Sequence, residues 1–338
     1  MVALRIPPRR PSTARPPPGL LPGGRGIVRG TSVADRRRIT RRTLLAGVLA
    51  APIAGCANPA LRSPASPPNP APPPKTAIPP STAPLEALER KYQARLGIHA
   101  LDTKTGATLD YRADERFAFC STFKTFAAAA VLQNHSLSYL DTKIPYTPAE
   151  VNSFSPITQH HAGAGMTVRQ LCDAAIRYSD GTAGNLLMRE AGGPAGLTAY
   201  LRGLGDATSR MDQYEPELNR DPLDDPRDTT TPRALAADHR AVVLGTTLQP
   251  DQRALLEDWL ARSTTGAQTI RAGVPAAWRV IGKTGHGDYG RVNDVAVLRP
   301  PGAPPLVFAI MSDRAAYDDE PRYALIAEAA KYVARTLG

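Results

Sequence analysis

Segments with strand character lie at the two ends of the foldable part of this chain, and everything between them reads as helix and loop. At the near end, residues 98–102 and 108–111 flank Lys104-Thr105-Gly106, the pattern of two short strands joined by a tight turn. At the far end, strand character returns in residues 278–283, 292–298 and 306–311, where β-branched and other apolar side chains predominate. Strands this short must bury a face, and each group does so best against the other. The pattern therefore predicts one antiparallel sheet of about five strands assembled from residues 85–120 and 276–338, an α+β architecture within the α/β class. Leu85, Leu88 and Tyr92 recur at helical spacing and predict an opening helix that Gly97 stops. Leu325, Ile326, Ala329, Tyr332 and Val333 predict a closing one. These two helices are expected to cover one face of the sheet. Residues 121–275, with an Ala-rich stretch to Leu132 and a periodic one over 168–178, form a helical lobe. A binding site is expected at the seam of the two parts.

Upstream of residue 85 the composition changes. Residues 57–84 hold eleven prolines and no apolar periodicity, so they read as an extended, semi-rigid tether rather than part of a core. Residues 1–56 hold eleven Arg and a single acidic residue, Asp35, which accounts for the whole net charge of +10. The remainder is electrically balanced, and that excludes a phosphate-backbone or other nucleic-acid partner for the folded body. Thr40-Arg41-Arg42-Thr43-Leu44-Leu45 resembles a twin-arginine export motif, and the apolar run over 44–54 is too short to span a bilayer, which takes about 20 residues. It ends in Ile53-Ala54-Gly55-Cys56, similar to a bacterial lipoprotein box. Residues 1–56 therefore read as a signal segment, with Cys56 the lipidation site and the only membrane attachment. The Pro-, Arg- and Gly-rich residues 1–30 suggest that translation starts later, near Val33.

Only two further cysteines are present, Cys120 and Cys172, and spacing alone cannot pair them. The six histidines (His99, His135, His160, His161, His239 and His286) form no ligand spacing, so no metal is implied.

Four strings in the body carry reactive groups, in this order: Ser121-Thr122-Phe123-Lys124, Ser179-Asp180-Gly181, Glu215-Pro216-Glu217-Leu218-Asn219, and Lys283-Thr284-Gly285. Ser121 and Lys124 are one helical turn apart, so an amine lies beside a hydroxyl that is a weak nucleophile until a base takes its proton. A serine at a helix start also has a backbone N–H among unpaired donors, suited to a developing oxyanion. Glu215 sits in a long polar segment running to Asp228, where a carboxylate can deprotonate a water with Asn219 beside it. Lys283 and Thr284 end an apolar strand and suit a carboxylate ligand, while Gly285 admits a ligand close to the backbone. Singly, each string has an ordinary structural explanation: a helix cap, a turn, an acidic surface loop, a charged edge strand.

Together they resemble the S-x-x-K, S-D-N and K-T-G signature shared by class A β-lactamases and penicillin-binding proteins. The Glu215 to Asn219 string resembles the omega loop of class A serine β-lactamases, which the transpeptidases lack. The resemblance covers residues 85–338, and the composition and leader are most similar to mycobacterial and other actinobacterial members. It implies a β-lactamase/transpeptidase-like fold, a monomer, no cofactor and a small-molecule β-lactam substrate. It further implies that Ser121 attacks the lactam carbonyl and that Lys124, alone or with Glu215, accepts its proton. Ser179 passes a proton to the lactam nitrogen, and the backbone N–H groups of Ser121 and His286 form the oxyanion hole. Glu215 and Asn219 hold the deacylating water, while Lys283, Thr284, Gly285 and His286 bind the substrate. Two other readings share parts of this pattern: a D,D-peptidase or penicillin-binding transpeptidase, and a non-catalytic envelope lipoprotein.

The chain departs from the family pattern at several positions. Gly181 replaces the usual Asn, which predicts a wider cleft and broad substrate tolerance. Gln213 stands where an Arg usually pairs with the loop's closing acid, leaving Arg210 as the candidate partner of Asp228. His286 follows K-T-G in place of Ser or Thr. Val292 replaces a carboxylate-binding Arg, for which Arg271 is the nearest substitute. Ala128 occupies the position of Cys172's usual partner, so no family-type disulfide is expected.

Overall fold

The computed structural model describes residues 81–337. The leader, the lipidation site Cys56 and nearly all of the tether lie outside the described residues. Helix α1 (Ala83–Tyr92) leads into strands β1 (Arg95–Asp102) and β2 (Thr108–Tyr111), then the two-residue β3 (Phe117–Ala118). A 3₁₀ turn, Cys120–Phe123, runs into α2 (Lys124–Asn134). Short strands β4 (Lys143–Ile144) and β5 (Met166–Thr167) precede α3 (Val168–Arg177), α4 (Gly181–Glu190) and α5 (Gly193–Gly203). After β6 (Thr229–Thr230) come α6 (Pro232–Val243), α7 (Pro250–Ala261) and α8 (Ile270–Gly273). Strands β7 (Arg279–Gly287), β8 (Arg291–Arg299) and β9 (Leu306–Asp313) and helix α9 (Tyr323–Leu337) complete the domain.

The sheet order is β2-β1-β9-β8-β7, antiparallel throughout. The two ends of the domain meet where β1 pairs with β9, with Ile98 opposite Ile310 and Ala100 opposite Phe308. Alternation of side chains sends Ile98, Ala100, Phe308 and Ile310 to an outer layer with Leu85, Ile326 and Val333 of the terminal helices. Val295, Val297, Val307 and Ala309 point the other way, into the core shared with the helical lobe. The division at residue 275 is softened by two helices. Helix α6 packs against β1, β8 and β9 on the inner face, where His239 bonds to the Ile281 carbonyl oxygen at 3.0 Å, and α8 joins α9 on the outer face.

Helix α2 has buried side chains from Lys124 to Leu132, the signature of a helix surrounded by protein on all sides. Gly97 does not stop α1. The helix ends at Gln93 in the left-handed conformation (φ 49°), and Gly97 lies inside β1, where a β-carbon would meet the Phe117 ring at 2.4 Å.

One buried cluster has no role in the site. Asp238 of α6 hydrogen-bonds Asp206, and burial together with the Asp206 charge pushes its carboxyl up to about 9. Both side chains are nearly inaccessible (2% and 8% exposed), so one proton is shared in the folded state but released on unfolding near pH 4. Because the folded group has the higher pKa, its contribution to stability is complete below about pH 4 and is lost as pH rises towards 9. Asp238→Asn should therefore stabilise the domain by about 1–3 kcal/mol at pH 8, a rise in Tm of roughly 2–10 °C, with no gain at pH 4. Thermal melts at the two pH values check this; an equal shift at both would mean the carboxyl pair is not the cause.

Candidate active site

Three of the four strings supply Ser121, Ser179, Glu215 and Asn219 to one cleft of about 560 Å³ between edge strand β7 and the helical lobe, and the fourth lies just behind its wall, Lys283 bonding Ser179 and leading to the lining residue His286. Ser121 lies in the 3₁₀ turn before α2, after Cys120, which is held at φ 46°. A non-glycine residue in that region costs about 1–3 kcal/mol, a strain that surrounding packing must offset. Cys120 is fully buried, and β7 presses against it: a β-carbon on Gly285 would lie 2.9 Å from Cys120 Cβ and 3.1 Å from the Ser121 nitrogen. The glycine of K-T-G thus admits the segment bearing the nucleophile and brings the backbone of Ser121 up to that of β7 beside His286.

Lys124, one turn on, is fully buried. Its Nζ donates to Ser121 Oγ at 2.8 Å and to the Ser179 carbonyl oxygen at 2.8 Å, and pairs with Glu215 Oε2 at 2.9 Å. Room for it comes from Gly184 of α4, where a β-carbon would sit 2.5 Å from Lys124 Cε. Ser121 Oγ in turn donates to Glu215 Oε1 at 2.7 Å. The nucleophile is thus bonded to both its cation and its carboxylate.

Ser179 stands at the end of α3, also with positive φ (57°). Its Oγ accepts from Lys283 Nζ at 3.0 Å, and Lys283 donates again to the Thr284 carbonyl oxygen at 2.7 Å. Burial, with Lys124 nearby, pulls the Lys283 ammonium down to about 7. Asp180 is structural. It caps α4 through Ala183 N–H and accepts three further bonds from Ile157 and Thr158.

Gly181 does not leave the open space expected of it. A β-carbon there would lie 2.4 Å from Asn152 Nδ2 and 2.7 Å from Glu215 Oε2, so Asn152 already fills the position. Its Oδ1 accepts from Phe154 N and Ser155 Oγ, and its Nδ2 is buried without a partner.

The segment from Glu215 to Asp228 is anchored differently from the expectation. Arg210 pairs with Asp212, not with Asp228. Gln213 reaches Asp228 itself, donating through Nε2 at 3.1 Å to Asp228 and at 2.7 Å to Asp221. Backbone N–H groups of Asp212 and Gln213 also bond to Asp228, which is fully buried, and desolvation lifts its carboxyl to about 6. The closing acid therefore has partners without any guanidinium. Two tethers escaped sequence reading. Asn185 of α4 holds the Glu215 backbone at both its N–H (2.9 Å) and its carbonyl (2.7 Å). Arg291 of β8, buried, donates to the carbonyl oxygens of Asn219 and Asp221. Asn185 follows Gly181 by one helical turn and so shares its face, but nothing in the sequence marks Arg291.

Asn219 lines the cleft next to Glu215, with Oδ1 buried and unpartnered. Across from it, Thr284 bonds to Thr265 at 2.6 Å. Arg271 does not line the cleft: it is exposed and donates to the Val280 carbonyl oxygen, and Val292 is buried in the outer core layer. No lysine or arginine is among the described residues that line the cleft. Cys120 and Cys172 are both free and buried, and burial pushes the Cys120 thiol up to about 12. Among the described residues no group of three or more His, Cys, Asp or Glu side chains is placed to hold a metal ion.

A family model for the β-lactamase enzyme family matches residues 81–337. The chain is 60% identical over 256 residues to a β-lactamase of Mycobacterium tuberculosis, covering 74% of this chain and 83% of that one. It is 49% identical over 310 residues to β-lactamase FAR-1 of Nocardia farcinica, covering 91% and 99%. Its fold matches that of a class A β-lactamase from Clostridium kluyveri with a TM-score of 0.74 and 43% identity, covering 75% of this chain and 97% of that one. The sheet, the helical lobe and the cleft between them are thus those of the class A β-lactamase fold. The chain belongs to the β-lactamase enzyme family and is a β-lactam hydrolase.

Proposed function

We propose that the chain opens β-lactam antibiotics through a covalent Ser121 acyl-enzyme, which a water activated by Glu215 then hydrolyses, conferring antibiotic resistance. The observation that carries this is the bonded set Lys124–Ser121–Glu215, all within 2.9 Å. The Ser121 hydroxyl is bonded to both Lys124 and Glu215, so either member of the pair can take its proton as Oγ attacks the lactam carbonyl, and Lys124 suffices when Glu215 cannot. The new oxyanion is received by the backbone N–H groups of Ser121 and His286. Lys283 donates to Ser179 Oγ, which frees the Ser179 proton for the lactam nitrogen as the C–N bond breaks, and the proton taken from Ser121 returns through Lys124 to Ser179, leaving Glu215 ionised for the next step. Once Ser121 is an ester, Glu215 Oε1 loses its hydroxyl partner. A water then takes that place, with Asn219 Oδ1 as its second acceptor, and attacks the ester.

The substrate carboxylate binds at Thr284 and Thr265 with Lys283 behind them, and Gly285 keeps β7 close. Broad tolerance follows from the amide lost at position 181 rather than from added space, since Asn152 fills the volume but its Nδ2 is buried. Export through residues 1–56 and lipidation at Cys56 complete the reading, with labelled palmitate incorporation by the full chain as the check. No helix of the described residues is long and apolar enough to cross a membrane.

The test is hydrolysis of a penicillin, cephalosporin and carbapenem panel by residues 85–338, with mass spectrometry of quenched samples. A transient mass gain of one intact substrate on the peptide containing Ser121 is expected. Ring opening without that adduct, or an adduct elsewhere, would overturn the mechanism.

A further inference from the structure

The far wall of the cleft carries a residue that no motif marked. Tyr323, the first residue of α9, lines the cleft with its ring edge-on to that of His286, the centroids 5.3 Å apart and the planes at 64°. Thr284 and His286 are two apart on β7 and so project to the same face, with His286 one pleat, about 6.5 Å, beyond the carboxylate-binding residue. His286 Nε2 is buried without a partner, so the ring is held by packing against Tyr323 rather than by hydrogen bonding. An edge-on pair leaves an aromatic face free, and aromatic faces attract the positive or electron-poor face of a flat group. No lysine or arginine is among the described residues lining the cleft, so this end presents aromatic surface rather than a cationic side chain, with Lys283 and Lys124 buried behind it.

We propose that Tyr323, paired with His286, forms a subsite for a flat, electron-poor substituent on the ring that bears the substrate's carboxylate. This rests on the placement of the carboxylate at Thr284 in the proposed function. A substituent on the ring carbon next to the carboxylate-bearing carbon then falls one pleat along β7, against the two rings. Tyr323 is a specificity-determining residue in this scheme. It takes no part in bond making.

The test uses two cephalosporins with the same acylamino group, one with a pyridiniomethyl substituent at that ring carbon and one with methyl. Their Kd values are measured by calorimetry on Ser121→Ala, which binds without turnover, and on the same protein carrying Tyr323→Ala or Tyr323→Phe. Tyr323→Ala should weaken the pyridinium compound roughly three- to tenfold and leave the methyl compound unchanged, and Tyr323→Phe should retain affinity for both. Equal weakening of both compounds would make Tyr323 a mere support for β7 and overturn the proposal, as would no change in either. Because the readout is binding, failure of the wild type to hydrolyse either compound would count against the catalytic reading alone.

Discussion

Ser121→Ala should abolish ring opening while leaving the domain folded and at least as stable as the parent. The hydroxyl is the only atom of the set that can form the ester, so kcat for a good substrate should fall by on the order of 10⁵-fold or more, to the level left by binding and the oxyanion donors. Stability should behave differently. The oxygen sits at 2.7 Å from Glu215 and 2.8 Å from Lys124, wedged between partners that already contact each other at 2.9 Å. Its removal leaves that ion pair intact, and a site shaped for catalysis commonly costs stability, so Tm should stay level or rise. Stopped-flow ring opening and thermal melts on the same preparation check both halves. Residual activity within about a hundredfold of the parent would sink the nucleophile assignment, since general acid–base help alone accounts for about 10²–10⁴-fold.

Glu215→Gln should stall the enzyme after its first step. The amide keeps the shape of the carboxylate but accepts no proton, so turnover should fall by about 10²–10⁴-fold while an acylated protein accumulates. The same change removes the only carboxylate that, among the described residues, pairs with the fully buried Lys124. Breaking a buried ion pair from one side costs about 3–5 kcal/mol, so this variant, unlike Ser121→Ala, should be clearly less stable. Mass spectrometry after a short mix with benzylpenicillin reads the adduct. A variant that neither turns over nor acylates would place Glu215 in the first step as its sole base. A variant that deacylates at the parental rate would remove it from the second.

Much of this was legible in the chain itself, and the reasons are specific. The run after Ser121 is so apolar that only a buried helix accommodates it, which drew Lys124 inside as expected. Alternation in β8 and β9 separates two faces, both buried, and explains why β9 reads as a nearly continuous apolar run from Leu306 to Met311. What failed to show was spatial. Glycine often marks the end of a helix, but Gly97 serves the Phe117 ring, which packs where its β-carbon would be. A closing acid suggests a cationic partner, but for Asp228 a neutral amide two residues before Glu215 fills the place. Asn152, Arg291 and Tyr323 reach the site from a loop, a strand and a helix start with no local pattern, so nothing short of the fold points to them.

The seam between β1 and β9 joins residues more than two hundred positions apart, as Arg95 and Asp313 do at 3.0 Å. Contacts of such long range are entropically expensive to close and slow the search for the native topology. A nascent chain cannot finish the sheet until its last strand has been synthesised, and β7, which carries the docking residues, joins that sheet through β8, its single strand neighbour. The sheet that carries the docking strand can therefore be completed only after nearly the whole domain has been made.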